Sequence, residues 1–157
     1  PNPQGKVNPL LLAFASGYTW IARGYAYDVK GLKELIKEGI AHRGLAFLHV
    51  LQPCPTYNDL HTKEWFAPRL YRLEEEGYDP LVPPGLPPEA LEARMARFQQ
   101  KALEWGERIP VGVFWKAELP TFEARLKAYL PRYPEAYPAR GPETPLDLEG
   151  LLQEFAL

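Results

Sequence analysis

The only cysteine of the chain, Cys54, lies between Pro53 and Pro55 at the end of an apolar run. A thiolate is a nucleophile and a ligand for iron or zinc. One cysteine, however, forms neither a disulfide nor a complete four-thiolate metal site. Free cysteines are often simply buried, so two interpretations stay open. Cys54 is either an inert thiol or one part of a site whose other parts lie elsewhere.

Other arrangements of reactive residues are missing from the sequence. It has no glycine-rich phosphate loop, no Cys-x-x-Cys motif and no recognisable Ser-His-Asp arrangement. The three histidines, His42, His49 and His61, lack the spacing of metal ligands. We interpret His49, inside the apolar run, as a hydrogen-bonded core histidine and His42 as a helix-end residue.

The composition is that of an ordinary globular domain. The chain has 157 residues, of which 46% are hydrophobic, and a net charge of −2. This balance gives no electrostatic reason to expect nucleic acid or anionic lipid as a partner. No apolar run approaches a membrane span and no secretory signal is visible. A single cysteine fits a reducing cytoplasm. Because the chain begins with Pro1 rather than Met, we expect a processed, cleaved or trimmed chain.

The elements around Cys54 read as one βαβ unit. A short β-rich run at residues 18–24 is followed by Asp28, a helix cap, and by a helix over residues 29–44. Residues 45–52 are mostly apolar and do not alternate, which is typical of a strand buried on both faces in a parallel sheet. In open α/β sheets, ligands bind beyond the carboxyl ends of the strands. Cys54 follows such an end.

Further helices and one strand complete the predicted α/β domain. Residues 60–88 are predicted to be irregular, and residues 131–145 to be extended and polyproline-like. A helix with a leucine face is expected from Thr144. We therefore divide the chain into an α/β domain, residues 1–130, and a proline-rich arm with an amphipathic helix, residues 131–157. The other predicted elements are a helix at residues 8–17 capped by Asn8, a helix beginning near Pro88, a strand at 109–115 and a helix capped by Thr121.

An ordered series of motifs resembles the C-terminal half of the β subunit of 2-oxoacid:ferredoxin oxidoreductases. The resemblance covers residues 8–123, and within that family it is greatest for enzymes that act on 2-oxoglutarate or on 2-oxoacids broadly. Departures from the family pattern are Gln52 in place of Ser, Pro55 after the cysteine, and His49 where an acidic residue is common. The matching motifs are Asn8-Pro9-Leu10, the TWIARG segment from Thr19 to Gly24, His42-Arg43-Gly44, and the PCPTYN segment from Pro53 to Asn58.

The resemblance implies a fold and a set of cofactors. The fold would be part of a thiamine-diphosphate-binding fold, with a mostly parallel sheet flanked by helices. Cys54 is similar in position to the fourth ligand of a [4Fe–4S] cluster, and Thr56 and Asn58 would line the cofactor pocket. Thr19 and Arg23 fall in a family motif, but a structural role is at least as well supported. No catalytic residue is assigned.

The resemblance also implies what lies outside this chain. Three further cysteines, and the residues that bind Mg²⁺ and the diphosphate, belong to the N-terminal half of such a subunit. The chain alone is therefore expected to be inactive. The complete enzyme would oxidatively decarboxylate a 2-oxoacid to an acyl-CoA and reduce ferredoxin. Its partners would be an α subunit, ferredoxin, the 2-oxoacid and coenzyme A.

Two alternatives stay open at this point. The chain could be a non-catalytic module that docks on a partner subunit through residues 131–157. It could instead be a thiamine-dependent decarboxylase relative without a cluster, in which case Cys54 is accidental. The upstream reading frame distinguishes the oxidoreductase from both alternatives, because only the oxidoreductase requires additional cysteines there.

Overall fold

The structure is a computed structural model, and it describes residues 7–130 and Gln153. The chain divides into two units between Leu119 and Pro120. The predicted proline-rich arm and the helix from Thr144 lie outside the described residues, apart from Gln153, which is helical. The division into residues 1–130 and 131–157 stays a prediction.

Five helices and five strands are described. In chain order they are α1 (Pro9–Ala15), β1 (Trp20–Tyr25), α2 (Val29–Ala41), β2 (Ala46–Leu51), α3 (Lys63–Phe66), β3 (Leu70–Arg72), a 3-10 turn (Glu74–Glu76), β4 (Leu81–Val82), α4 (Pro88–Leu103), β5 (Ile109–Ala117) and α5 (Phe122–Tyr129). The expectation of an irregular segment at residues 60–88 was wrong in part, because α3, β3 and β4 form there. These elements are two to four residues long, too short to leave a periodic pattern in the sequence.

The predicted helix caps within the described residues are confirmed. Asn8 accepts hydrogen bonds from the amides of Leu10 and Leu11 at 3.1 and 3.2 Å. Its Nδ2 also donates to the Ala102 carbonyl at 2.8 Å, which joins the start of α1 to the end of α4. Asp28 accepts from the Gly31 amide at 3.0 Å at the start of α2. Each cap satisfies amides that a helix leaves without a partner in its first turn.

The sheet confirms the predicted α/β class and the βαβ crossover. Its strand order is β2-β1-β5-β3, and β4 also pairs with β5. β1 and β2 are parallel and in register over six residues, and α2 forms the connection between them. β5 is parallel to β3 and β4 but antiparallel to β1. The sheet is therefore mixed, with three of its four pairings parallel.

The larger core cluster is built where β1 and β5 meet α1 and α4. Ile21, Phe98 and Phe114 are fully buried there. The Phe14 ring stacks on Phe98 with centroids 4.7 Å apart and meets Trp115 edge-on at 4.9 Å. Burial of one such apolar side chain contributes about 1.5–3 kcal/mol. Through this cluster, β1 and β5 pack against α1 and α4.

β2 corrects one prediction. It was expected to be buried on both faces, but only Leu51 is buried, while Ala46 and Val50 are exposed. The reason is its position, because β2 has a single strand neighbour, β1, among the described residues. The helix beside it, α2, has no buried residue, and its Ile40 is 80% exposed. The sequence of an interior strand thus lies at an edge of the described sheet.

Candidate functional site

Residues 52–60 follow β2 and form a loop that presents Cys54, which we call the Cys54 loop. The cysteine is free and exposed, and it lies three residues beyond Leu51, the last residue of the strand. Its carbonyl oxygen accepts a hydrogen bond from the Asn58 amide at 2.9 Å, which closes a compact turn. Proline on each side restricts the backbone rotation of the flanking residues. The predicted placement of Cys54 at the carboxyl end of a parallel strand is confirmed.

Asn58 organises the Cys54 loop from within. Its Oδ1 accepts from the amides of Leu60 and His61 at 3.2 and 3.0 Å. Its Nδ2 lies 3.0 Å from Nδ1 of His61. One N–H of the side-chain amide remains available. Thr56 is exposed, so its hydroxyl is open to a ligand. The cofactor-binding roles of Thr56 and Asn58 stay predictions.

The donor set near Cys54 fits one position of an iron–sulfur cluster. A [4Fe–4S] cluster is held by four thiolates, and the chain contains one cysteine. Within residues 7–130, no group of three or more His, Cys, Asp or Glu residues is arranged to hold a metal ion. An exposed thiol can bind one iron of a cluster whose other ligands lie elsewhere. The metal-binding role of Cys54 stays a prediction.

An aromatic cluster packs beside the same loop, and sequence reasoning did not identify it. The rings of Trp65 and Phe66 in α3 lie 5.0 Å apart, and the Trp65 ring lies 6.2 Å from that of Trp105, which follows α4. The Tyr25 ring, at the end of β1, lies 5.4 Å from Phe66. The only signal in the sequence was the pair of large rings at 65 and 66, inside a segment predicted to be irregular. The members of this aromatic cluster are Tyr25, Tyr27, Trp65, Phe66 and Trp105, and the His61 ring packs against it.

Arg23 places a buried cation next to the aromatic cluster. Arg23 is 2% exposed, and among the described residues it is the one charged residue that is buried. The guanidinium carbon lies 5.3 Å from the Phe114 ring centroid and 5.8 Å from that of Trp105. Burial lowers the pKa of Arg23 to about 10, so it stays charged at neutral pH. No ion pair found among the described residues includes it, and the faces of the two rings therefore help to stabilise its charge.

His49 is the polar partner of Arg23 across the β1–β2 pair. Nε of Arg23 donates to Nδ1 of His49 at 3.3 Å. Burial, reinforced by the Arg23 charge, lowers the pKa of His49 to about 4. The imidazole is therefore neutral at pH 7, with its proton on Nε2. The predicted hydrogen bond of this histidine is present, although the side chain is half-buried rather than fully buried.

Thr19 belongs to the opposite end of the strands. Its Oγ1 and Nε2 of His42 are hydrogen-bonded at 2.8 Å. Gly44 follows with a φ of +150°, and a Cβ there would collide with the Thr19 hydroxyl. Both contacts precede the first residues of β1 and β2, whereas Cys54 follows their last residues. The geometry supports the structural role for Thr19 that the sequence left open.

A separate cleft lies between α2 and the Glu74–Glu76 turn, with a volume of about 770 Å³. Two ion pairs form among its lining residues, with Arg72 bonded to Asp28, and Lys116 bonded to Glu38 at 2.8 Å. None of the predicted cofactor-binding or metal-binding residues lines it. This cleft is therefore separate from the Cys54 loop that the sequence singled out.

Comparison with a protein family and with sequence relatives identifies similar proteins. Residues 54–130 match the family that describes the C terminal of the pyruvate ferredoxin oxidoreductase beta subunit. A 2-oxoacid:ferredoxin oxidoreductase subunit beta from Sulfolobus sp is 53% identical over 142 residues, covering 89% of this chain and 46% of that protein. The subunit of that name from Saccharolobus solfataricus is 47% identical over 163 residues, covering 98% of this chain and 52% of the relative. The chain thus spans about half the length of these relatives.

A solved structure shows the same fold. It is a 2-oxoglutarate:ferredoxin oxidoreductase from Magnetococcus marinus with 2-oxoglutarate, coenzyme A and succinyl-CoA bound. The match has a TM-score of 0.66 at 24% sequence identity and covers 99% of this chain and 47% of that one. The expected α/β fold is confirmed by this likeness. None of the helices described here is long and apolar enough to cross a membrane.

Proposed function

Because this chain is homologous to the C-terminal part of 2-oxoacid:ferredoxin oxidoreductase β subunits, we propose that it supplies Cys54 as one ligand of a [4Fe–4S] cluster in such an enzyme. One observation carries the proposal. The only thiol of the chain is exposed, free and fixed in a compact loop at the carboxyl end of a parallel strand. Such strand ends are where open α/β sheets bind their ligands.

The reaction of the complete enzyme follows from the chemistry that the relatives' names describe. A 2-oxoacid and coenzyme A would give an acyl-CoA, CO₂ and a proton, and two electrons would pass to two ferredoxins. Thiamine diphosphate with Mg²⁺ supplies the decarboxylation chemistry when bound, and the cluster carries single electrons. These cofactors, the α subunit and the residues that complete the site would come from outside residues 1–157.

The residues of this chain would act by binding and positioning. Cys54 would lose its thiol proton and bind iron through Sγ. Thr56 would offer its exposed hydroxyl to the neighbouring cofactor pocket. Asn58 would hold the turn and direct its remaining amide N–H toward the same pocket. None of these residues is assigned a proton-transfer role. The alternative of a cluster-free decarboxylase finds no support in the comparisons, because the relatives described above are ferredoxin oxidoreductases.

The cysteine ligand is tested by Cys54→Ala in a full-length β subunit that contains this segment, assembled with its α subunit. We expect loss of the cluster iron and of ferredoxin reduction, while thiamine diphosphate binding is retained in part. Iron analysis, electron paramagnetic resonance and calorimetric titration of the cofactor measure the three properties. A matched control is Ser16→Ala, which removes a small polar group at the exposed end of α1. A variant that keeps its full iron content and cluster spectrum would refute the assignment.

A further inference from the structure

We propose that His61 is a positioning residue that anchors the Cys54 loop to the aromatic cluster. The inference rests on the proposed role of Cys54 as a cluster ligand. His61 is half-buried and lies seven residues beyond the cysteine. Its Nδ1 is hydrogen-bonded to Asn58 of the Cys54 loop, and its ring packs against Trp65 and Trp105. One side chain therefore joins the loop to the aromatic cluster.

The direction of the hydrogen bond follows from Asn58. Both bonds made by Oδ1 of Asn58 are accepted from backbone amides, so the Nδ2 group is the donor toward His61. Nδ1 of His61, 3.0 Å away, is then the acceptor. The operative atom of the histidine is a ring nitrogen with a free lone pair. A ring without that atom could pack in the same place but could not hold the asparagine.

The ring of His61 packs against one ring nearby in the sequence, Trp65, and one distant ring, Trp105. It meets the Trp65 ring edge-on with centroids 4.5 Å apart, and that of Trp105 edge-on at 6.1 Å. The Trp105 ring centroid in turn lies 5.8 Å from the buried guanidinium carbon of Arg23. These contacts connect His61 to α3 and to the segment after α4, and through Trp105 to Arg23 of β1. Edge-on aromatic pairs of this kind each contribute about 0.5–1.5 kcal/mol beyond burial.

The Cys54 loop has little other apolar anchoring. Tyr57 is 92% exposed and Leu60 is 75% exposed, and the bond from the Asn58 amide to the Cys54 carbonyl closes the turn only on itself. The side-chain bond from Asn58 to His61 therefore links the closed turn to the packed rings. A metal ligand must be held within a fraction of an ångström of its productive position. Holding Sγ in place before the cluster binds is the role that this geometry gives to His61.

The test compares two substitutions of His61 in the 157-residue chain. His61→Phe keeps a ring for packing and removes the acceptor, whereas His61→Asn keeps an acceptor close to the position of Nδ1. Hydrogen exchange of the Asn58 amide reports directly on the turn, because that amide donates to the Cys54 carbonyl. We expect His61→Phe to speed this exchange about threefold to tenfold, since one hydrogen bond contributes about 0.5–1.5 kcal/mol. His61→Asn should recover part of the protection.

The matched control is His42→Phe, which removes the hydrogen bond of another half-buried histidine at the opposite end of the strands. Exchange of the Asn58 amide should be unchanged there. Unchanged exchange in His61→Phe overturns the proposal, and so does equal acceleration in both variants, because that would report a general loss of stability.

A second measurement separates this proposal from the ligand role of Cys54. In the assembled full-length subunit, His61→Phe should retain the cluster but lose its iron faster to a chelator and show an altered paramagnetic resonance line shape. Cys54→Ala should abolish the signal altogether. If Cys54→Ala keeps the cluster, the ligand role fails, while the exchange result for His61 still decides whether the loop is anchored as described. An unaltered line shape and iron-release rate in His61→Phe would contradict the positioning role at the cluster.

Discussion

β1 and β2 are neighbouring parallel strands of six residues each, and they differ sharply in burial. All six residues of β1 are buried, whereas in β2 only Leu51 is. The difference does not come from polarity, because β1 contains Arg23 and β2 reads AFLHVL. It comes from the neighbours, since β1 pairs with β2 and β5, and β2 pairs with β1 alone among the described residues. An apolar sequence therefore indicates that a strand can be buried, but its position in the sheet decides whether it is buried.

The exposed strand lacks the usual protection of an edge. Edge strands in stable proteins commonly carry charged residues, proline or bulges that discourage further pairing. β2 has none of these. Its residue Val50 is exposed, and so is Leu45, which directly precedes the strand. The chain also spans about half the length of its relatives. We infer that the open edge of β2 is suited to pair with a further strand.

The largest expected effect contrasts one residue from each strand. Ile21→Ala should lower the free energy of unfolding by about 2–5 kcal/mol, because Ile21 is fully buried in the core and its truncation leaves a cavity. Val50→Ala should cost less than about 1 kcal/mol, because Val50 is 39% exposed and its removed atoms already contact water. Chemical denaturation of the chain measures both. A similar cost for the two substitutions would show that β2 is covered in solution, for example by a second copy of the chain.

The second prediction uses the bond between the two strands. His49 has a folded-state pKa of about 4, below its ordinary value of 6.5. A base whose pKa is depressed by folding takes up its proton more readily when unfolded. The contribution of His49 to the free energy of unfolding is therefore fully present above pH 6.5 and is lost as the pH falls toward 4. Because the side chain is half-buried, we expect a loss of about 1–2 kcal/mol rather than the full value of the shift.

The measurement is the unfolding free energy at pH 7 and pH 5 for the wild type and for His49→Gln. The wild type should lose more stability than the variant, and the difference isolates His49 from His42, whose pKa burial also lowers. The variant Thr19→Val, which removes the hydroxyl partner of His42, serves as a control that should leave the His49 contribution intact. Parallel pH dependence of wild type and His49→Gln would mean that Arg23 and burial do not hold His49 neutral.

Local features of the fold could be predicted from the sequence. The caps Asn8, Asp28 and Thr121 were identified correctly because a cap depends on residues within one helical turn. The loop position of Cys54 followed from the apolar run that precedes it. These features need no knowledge of what lies across the sheet.

Features that depend on distant contacts were not predictable in this way. The edge position of β2 and the short strands β3 and β4 are decided by pairing with β1 and β5. The aromatic cluster joins Tyr25 to Trp105, which are 80 positions apart in the sequence. The contact between His61 and Asn58 is local, but its importance is visible only once the rings around His61 are known. Cys54 was recognised from its residue type, whereas the contacts that hold its loop are visible only in the structure.

The smallest expected effect concerns the loop itself and the contrast between its two ends. At the anchored end the Asn58 amide donates to the Cys54 carbonyl, whereas at position 55 proline has no amide to donate. Hydrogen bonds to cluster sulfurs make the reduction potential less negative. If the position 55 amide can point at the cluster, Pro55→Ala in the assembled full-length subunit should raise the potential. One hydrogen bond of about 0.5–1.5 kcal/mol corresponds to about 20–60 mV for one electron.

Redox titration monitored by paramagnetic resonance measures the shift, and Leu60→Ala, a change in the same loop away from the cysteine, is the control. An equal or more negative potential in Pro55→Ala would show that the proline does not act by withholding a donor, and would leave rigidity of the Cys54 backbone as its contribution.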